Sequence, residues 1–300
     1  MSRSKSRAWA LNILIQRLYD KSNYAMEVVL VDQFKHVIFC LLVYMVFGVK
    51  LDEVQINQIK GLQHQALLAT IQFKILDVFP RVGKVIFRNL WKELTTFRKE
   101  TESMFIPLIQ VRVKYIEEKT KAGVDKKEEE NVAYVDTLVN LELPEEKRKL
   151  TYEEMASLCG EFLGAASDTT FTSLQWIMAY LVKYPSIQEK LYKEICEIVG
   201  APESKGENNN NKLIKEEHLQ KMSYLKAVIL EGLRRQTPSL FLLPHRVSEE
   251  MELNGYVIPK NASIHFMVRE MGLDAKTTGF HLKCQIKLAT KYCKWSRAKP

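Results

Sequence analysis

Glu161 to Thr170 read E-F-L-G-A-A-S-D-T-T, and they lie inside a segment whose apolar residues recur at helical spacing: Met155, Leu158, Cys159, Phe162 and Ala166. Thr151 followed by Glu154 is a capping box, which satisfies the free amides of a helix start. The pattern runs on to Tyr184, where Pro185 follows. In the middle of this long helix stands a polar, β-branched run, Ser167-Asp168-Thr169-Thr170, then Thr172 and Ser173. Such side chains compete for backbone hydrogen bonds and weaken or bend a helix interior. One reading is a helix with a single solvated face. The other is a local opening of the helix, where an acid and a hydroxyl relay protons to something bound against it.

Downstream, Ser186 with Glu189 reads as a second capping box, opening a helix through Leu191, Ile195 and Ile198 that stops at Gly200. After an asparagine-rich loop at Glu207 to Asn211, a helix is expected from about Lys215 to Arg235, ended by Pro238. Glu231 and Arg234 stand three residues apart on one face of it. Most such pairs are surface ornaments, but this one adjoins the apolar run Ala227 to Leu230, where burial would demand further partners. His245 follows Leu242-Leu243-Pro244, and such a histidine alone is more often structural or exposed than a ligand. Asn254-Gly255 between Met251-Leu253 and Tyr256-Ile258 is a hairpin signal, and Ser263 to Val268 fits another short strand.

Upstream, apolar helical segments are expected from Trp9 to Asp20, Val37 to Val49 and Leu51 to Ile75, and from about Val82 to Lys119 with an interruption at Pro107. Lys121 to Asn131 is a charged loop. The longest apolar run, Val37 to Val49, is short for a bilayer and reads as a buried helix, so no membrane span is expected. No signal peptide opens the chain.

The 300 residues are 46% hydrophobic and 27% charged, with only 12 glycines and 9 prolines, a balance that favours helices. Seven basic residues and no acids follow Ala275, accounting for all but one of the +8 net charge. The body is near neutral, which argues against a nucleic-acid partner. Cys40, Cys159, Cys196, Cys284 and Cys293 form no C-x-x-C pair, as suits a reducing compartment, and Cys40 and Cys159 lie in apolar helical stretches where buried inert thiols are expected. Neither they nor the six histidines form a metal-ligand cluster.

Taken together, these segments resemble the cytochrome P-450 superfamily, with wording closest to the plant 89A group. Ala165, Asp168, Thr169 and Thr170 match the family's oxygen-binding helix pattern, Ala/Gly-Gly-x-Asp/Glu-Thr-Thr. Tyr134 to Leu150, Leu181 to Tyr192 and Met222 to Arg235 supply neighbouring segments, the last with the family's Glu-x-x-Arg as Glu231 and Arg234. Leu243 to Lys260 is similar to the short sheet lining the haem pocket. The implied fold is mainly α: a partial cytochrome P-450 fold, a helical bundle with a small β-sheet, over residues 1–274, followed by an unrelated basic tail over 275–300.

The resemblance also implies roles. Asp168 and Thr169 would be the acid–alcohol pair delivering protons to dioxygen, and Ala165 would line the cofactor and substrate space. Glu231 and Arg234 would hold the fold behind the haem, His245 would contact a propionate, and Ser239, Leu240, Phe241, Leu242 and Leu243 would line the substrate pocket. The implied cofactor is haem b, and the partners are NADPH-cytochrome P-450 reductase and a small apolar substrate. The implied setting is the cytosolic face of the endoplasmic reticulum membrane; without an anchor, this chain would be cytoplasmic or peripheral. Departures accompany the match. Ala166 replaces the usual glycine, and neither Cys284 nor Cys293 has the glycines of the family's cysteine loop. The Pro-Glu-Arg-Phe segment is not found either, so Arg234 is expected to lack its third partner and the chain to lack thiolate-dependent activity. The alternative reading is a non-catalytic remnant, or a protein that meets another protein or a membrane surface.

Overall fold

The computed structural model describes residues 2–23, 29–78, 85–121, 132–200 and 214–274. They are mostly helical, with three two-stranded sheets. The chain divides into two units, Met1–Phe171 and Thr172–Pro300.

The first unit holds α1 (Ser2–Asn23), α2 (Leu30–Phe47), α3 (Glu53–Val78), α4 (Arg88–Lys121), the short α5 (Tyr134–Val139) and the start of α6 (Tyr152–Lys183). Its core is built where these helices turn apolar stripes inward: Val43, Val46 and Phe47 from α2, Ile56 and Ile59 from α3, Phe105 and Ile109 from α4, Val135 from α5, and Cys159 and Leu163 from α6. The rings of Phe47 and Phe105 meet at 5.3 Å between centroids, tilted by 50°. By length and composition α2 could cross a membrane, yet most of it is buried among these residues, and it starts seven residues ahead of the apolar run read from the sequence.

Pro107 does not interrupt α4, which continues through it. The proline forfeits one amide bond in a 34-residue helix whose adjoining turns bury Phe105, Ile109 and Arg112, so packing outweighs the local cost. The loop expected at 121–131 falls, after Lys121, outside the described residues. Beyond α5, β1 (Glu142–Leu143) and β2 (Arg148–Lys149) form a small antiparallel hairpin that no sequence signal announced. The Thr151 capping box is present: its amide donates to Glu154 Oε2 at 2.8 Å, and the Glu154 amide donates to Thr151 Oγ1 at 3.3 Å. Arg148 adds a fork onto the same carboxylate and holds Glu154 down to about 2.

Two charged groupings tie the helices of this unit. Arg112 makes a bidentate pair with Asp136, at 2.7 and 2.6 Å, and both side chains are buried. Asp136 also accepts the Ala133 amide at 2.8 Å, at the start of α5. Gly48, in the left-handed conformation (φ 71°) that ends α2, lets the guanidinium lie against the backbone; a Cβ there would stand 2.7 Å from Arg112 Nη1.

The second grouping surrounds His36. Lys60 Nζ donates to His36 Nδ1 at 2.9 Å, Cys40 Sγ lies 3.5 Å from Nε2, and Arg17 reaches the ring, Gln33 and Glu53. Burial, then the Lys60 and Arg17 cations, push His36 down to about 4. The folded ring is neutral, so between pH 6.5 and 4 the unfolded chain takes up a proton that the folded one refuses. Stability therefore falls as pH drops through that window, by about 2 kcal/mol after allowance for solvent screening. Melting curves from pH 7 to 4 should lose about 5 °C in the wild type and markedly less in His36→Gln; equal slopes would contradict this assignment.

The second unit contains the end of α6, α7 (Pro185–Val199), α8 (Glu216–Lys221), α9 (Ser223–Arg235), α10 (Val268–Leu273) and four short strands. Its core is small: Leu191, Tyr224 and Val228 pack with Ile177, Leu181, Ile187 and Ile195. Ser186 does not cap α7. The helix begins at Pro185, whose fixed φ and missing amide suit the first helical position, and Glu189 pairs with Lys193 instead. The single helix expected from Lys215 to Arg235 is broken at buried Met222 (φ −82°, ψ 81°). The carboxylate of Glu194 draws the chain into a new start there, accepting the amides of Tyr224 and Leu225 at 2.7 and 2.8 Å.

The remaining strands form two antiparallel pairs. Asn254 (φ 51°) and Gly255 (φ 81°) make the turn between β4 (Met251–Leu253) and β5 (Tyr256–Ile258), as their sequence required. β6 covers only Ser263–Ile264, paired with β3 (His245–Arg246), and the chain becomes helical again at Val268.

Candidate functional site

Along the first-unit part of α6, Gly160 and Gly164 stand one turn apart and carry no side chain to hold α3 and α4 away. A Cβ on Gly164 would lie 3.1 Å from Gln63 Oε1, and one on Gly160 would lie 3.5 Å from the Phe105 ring. Above these glycines opens a cavity of about 780 Å³, walled by Gln63 and Ala66 of α3, by Leu94, Phe97 and Arg98 of α4, and by Ala165 and Asp168 of α6. Its size suits a small organic ligand.

The polar run of α6 leaves the helix closed. All residues from Tyr152 to Lys183 remain α-helical, so the local opening anticipated at Ser167 to Ser173 is not there. Thr169 Oγ1 donates to the Ala165 carbonyl at 2.7 Å, so its hydroxyl is satisfied within the helix without opening it. Ser167 is buried, Asp168 is half-buried and Thr169 is exposed. Ala165 and Asp168 face the cavity, whereas Thr169 meets it only through its bond to Ala165.

In the second unit, Arg234 Nε and Nη2 donate to the two carboxylate oxygens of Glu231 at 2.7 and 2.9 Å. Both side chains are largely buried. Arg234 Nη1 donates to the backbone carbonyl of Gly272 in α10. Arg234 thus has a further partner, a backbone oxygen of α10, of a different kind from the arginine-bearing segment expected to be lacking. Gly272 is needed for that approach, because a Cβ there would lie 2.7 Å from the Arg234 carbonyl. Glu231 also edges a cavity of about 430 Å³ with Tyr180, Tyr184 and Arg235, where the Arg235 guanidinium lies over both tyrosine rings at 5.0 and 5.7 Å.

Ser239 to Leu243 form a fixed loop with apolar side chains turned outward. Thr237 Oγ1 donates to the Ser239 carbonyl and Ser239 Oγ to the Phe241 carbonyl, at 2.7 and 2.6 Å, while the Leu242 amide donates to the Phe266 carbonyl at 3.0 Å. Leu240, Phe241, Leu242 and Leu243 are all exposed, Leu243 to 84%. His245 follows on β3, exposed, its ring edge-on to Phe266 at 5.7 Å. Sequence reasoning missed Gln63, Arg235 and Gly272. Each acts through an approach between distant segments, which leaves no local motif.

With that geometry in hand, comparison with known proteins is direct. Residues 8–277 match the family model described as Cytochrome P450. The chain belongs to the cytochrome P450 family. It is 42% identical over 278 residues to Cytochrome P450 89A9 of Arabidopsis thaliana, covering 90% of this chain and 51% of that protein. It is 30% identical over 212 residues to Salviol synthase of Salvia pomifera, covering 67% and 38%. Cytochrome P450 monooxygenase 76AD131 of Lophophora williamsii is 26% identical over 203 residues, covering 68% and 37%. The chain thus spans about half, or less, of the length of these curated relatives.

Cytochromes P450 carry haem, and their plant members are typically membrane-associated. Leu240 to Leu243 expose apolar side chains and His245 an imidazole, groups of the kinds that an apolar macrocycle with propionates would need. Two of the described cysteines do not fit the iron: Cys40 and Cys159 are buried among apolar core residues, and burial pushes both thiols up, Cys159 to about 12, whereas Cys196 is partly exposed. Cys284 and Cys293 lie outside the described residues.

Proposed function

We propose that this chain forms the oxygen-activating and substrate-holding part of a haem-dependent monooxygenase acting on a small organic molecule with an apolar body. What supports the reading is one arrangement: Asp168 faces a ligand-sized cavity next to a threonine whose hydroxyl is bonded to the carbonyl of Ala165, itself a wall of that cavity. When bound, haem b supplies iron that activates dioxygen, one atom entering the substrate and the other leaving as water, with electrons from NADPH-cytochrome P-450 reductase. Asp168 and Thr169 then hold and pass the protons this requires, carboxyl to hydroxyl, while Ala165 leaves room beside them. Ser239 to Leu243 would present an apolar wall, the His245 N–H would donate to a propionate, and Glu231 with Arg234 would brace α9. The setting is the cytosolic face of the endoplasmic reticulum.

The test is turnover of the chain expressed with haem and supplied with the reductase and NADPH, using isotopically labelled dioxygen. Asp168→Asn should lower turnover by about 10²–10³-fold with haem content unchanged. Turnover indifferent to this change would overturn the proton-relay assignment.

The cysteine positions favour a second reading, that these 300 residues keep the scaffold without thiolate chemistry. Reduced carbon monoxide difference spectra separate the two. A Soret band at the long-wavelength thiolate position supports the first reading and shows that a cysteine of this chain reaches the iron, whereas a band typical of loosely held haem, or none, supports the second.

A further inference from the structure

Two buried polar side chains on the wall of the 780 Å³ cavity make no side-chain hydrogen bond among the described residues. Gln63 is 8% exposed and Ser167 is 4% exposed, and both line the cavity. The Gln63 amide is not tucked into the helices' own hydrogen bonding. Its Oε1 lies against Gly164, the residue before Ala165, and its Nε2 near Gly160, where no side chain intervenes. Buried polar groups left unmatched are costly, so a wall carrying two of them is built for something that matches them.

The charges around them point the same way. Arg98 faces Glu102 at 3.3 Å and is the one cation among the described residues that line the cavity. Glu153, Glu161 and Asp168 also line it, so carboxylates exceed cations by three. Carboxylates only accept hydrogen bonds when ionised, so the charged part of the wall favours donors, while the Gln63 amide and the Ser167 hydroxyl can accept as well as donate. An anionic ligand would meet repulsion from three sides.

We infer that the cavity selects ligands whose apolar body carries a hydrogen-bond-donating nitrogen, with Gln63 as the specificity-determining residue, and that it rejects carboxylates. This rests on taking the cavity as the substrate site and narrows the substrate class proposed for it. Phe97, Leu94 and Ala66 take the apolar body; the donor enters between Gln63 and Asp168.

The experiment is calorimetric titration of the full chain, expressed with haem, with four probes of one shape: 4-phenylbutylamine, 4-phenylbutyramide, 4-phenylbutyl methyl ether and 4-phenylbutyrate. The amine and amide should bind about five- to tenfold more tightly than the ether, and the carboxylate should bind weakest. Either order of amine and amide supports the inference, and the order tells whether the nitrogen is charged or neutral. Gln63→Leu, similar in size and without the unmatched amide, should keep the wild-type melting temperature and erase the preference of amide over ether. Gln63→Glu keeps the acceptor oxygen and should widen the gap between amine and carboxylate, which reads out the site should the leucine variant misfold. A carboxylate bound as tightly as the amide, or an amide preference that survives in Gln63→Leu, would overturn the inference. The amide and the ether do not ligate haem iron as a primary amine does, so the difference between those two reads the cavity wall independently of haem chemistry. Failure of turnover with this probe order intact therefore sinks the monooxygenase reading alone, and the reverse pattern sinks the ligand class alone.

Discussion

Arg112→Ala is expected to destabilise the first unit by about 3–5 kcal/mol, enough to remove a large part of the stability of a typical domain. The loss comes from what is left behind. Asp136 would keep the Ala133 amide but lose both guanidinium bonds, an ionised carboxylate in a buried site, and the space beneath Gly48 would empty. Because α4, α5 and the end of α2 all meet at this side chain, their contacts should fail together. A shape-matched double replacement, Arg112→Met with Asp136→Leu, should recover most of the loss, since the pair's desolvation cost disappears with its attraction. Urea unfolding followed by circular dichroism decides it. A midpoint for Arg112→Ala within error of the wild type would show that the pair is an incidental contact.

Glu231→Ala should cost about 2–4 kcal/mol, somewhat less because the pair is not fully buried. Arg234 would retain the Gly272 carbonyl, but two of its charge-assisted bonds would vanish and the guanidinium would stay half enclosed between α9 and α10. Glu231→Gln should recover part of the loss by keeping one acceptor oxygen. The readouts are the thermal midpoint and haem content after gel filtration. A fall in both supports the proposed role of the pair behind the cofactor; haem content unchanged despite a lowered midpoint would confine the pair to stability.

Local chemistry made much of this legible in advance. The capping box at Thr151, the Asn254-Gly255 turn and the helical spacing of the α2, α4 and α6 apolar residues are written within a few residues, so a sequence carries them openly. The resemblance drawn from Ala165, Asp168, Thr169, Glu231 and Arg234 led to the right family for the same reason. What stayed hidden was decided at a distance. Pro107 looked like a break because its local cost is visible and the burial of Phe105 and Ile109 is not. Met222 looked helical because Glu194, 28 residues earlier, carries the signal that restarts the chain there. Gln63 had no motif at all: its place on the cavity wall depends on two glycines in another helix.

The Glu194 cap has a consequence for how α9 opens. A helix normally loosens from both ends, since its first amides and last carbonyls lack partners within it. Here the first amides are held by a carboxylate from α7, so loosening proceeds from the Arg235 side, and the turn bearing Glu231 and Arg234 is the one that opens first. The contact between Arg234 and Gly272 then acts as a latch on a one-hinged door. Undocking of the six-residue helix α10 would remove one of the guanidinium's bonds and leave the Glu231 pair to hold that turn alone.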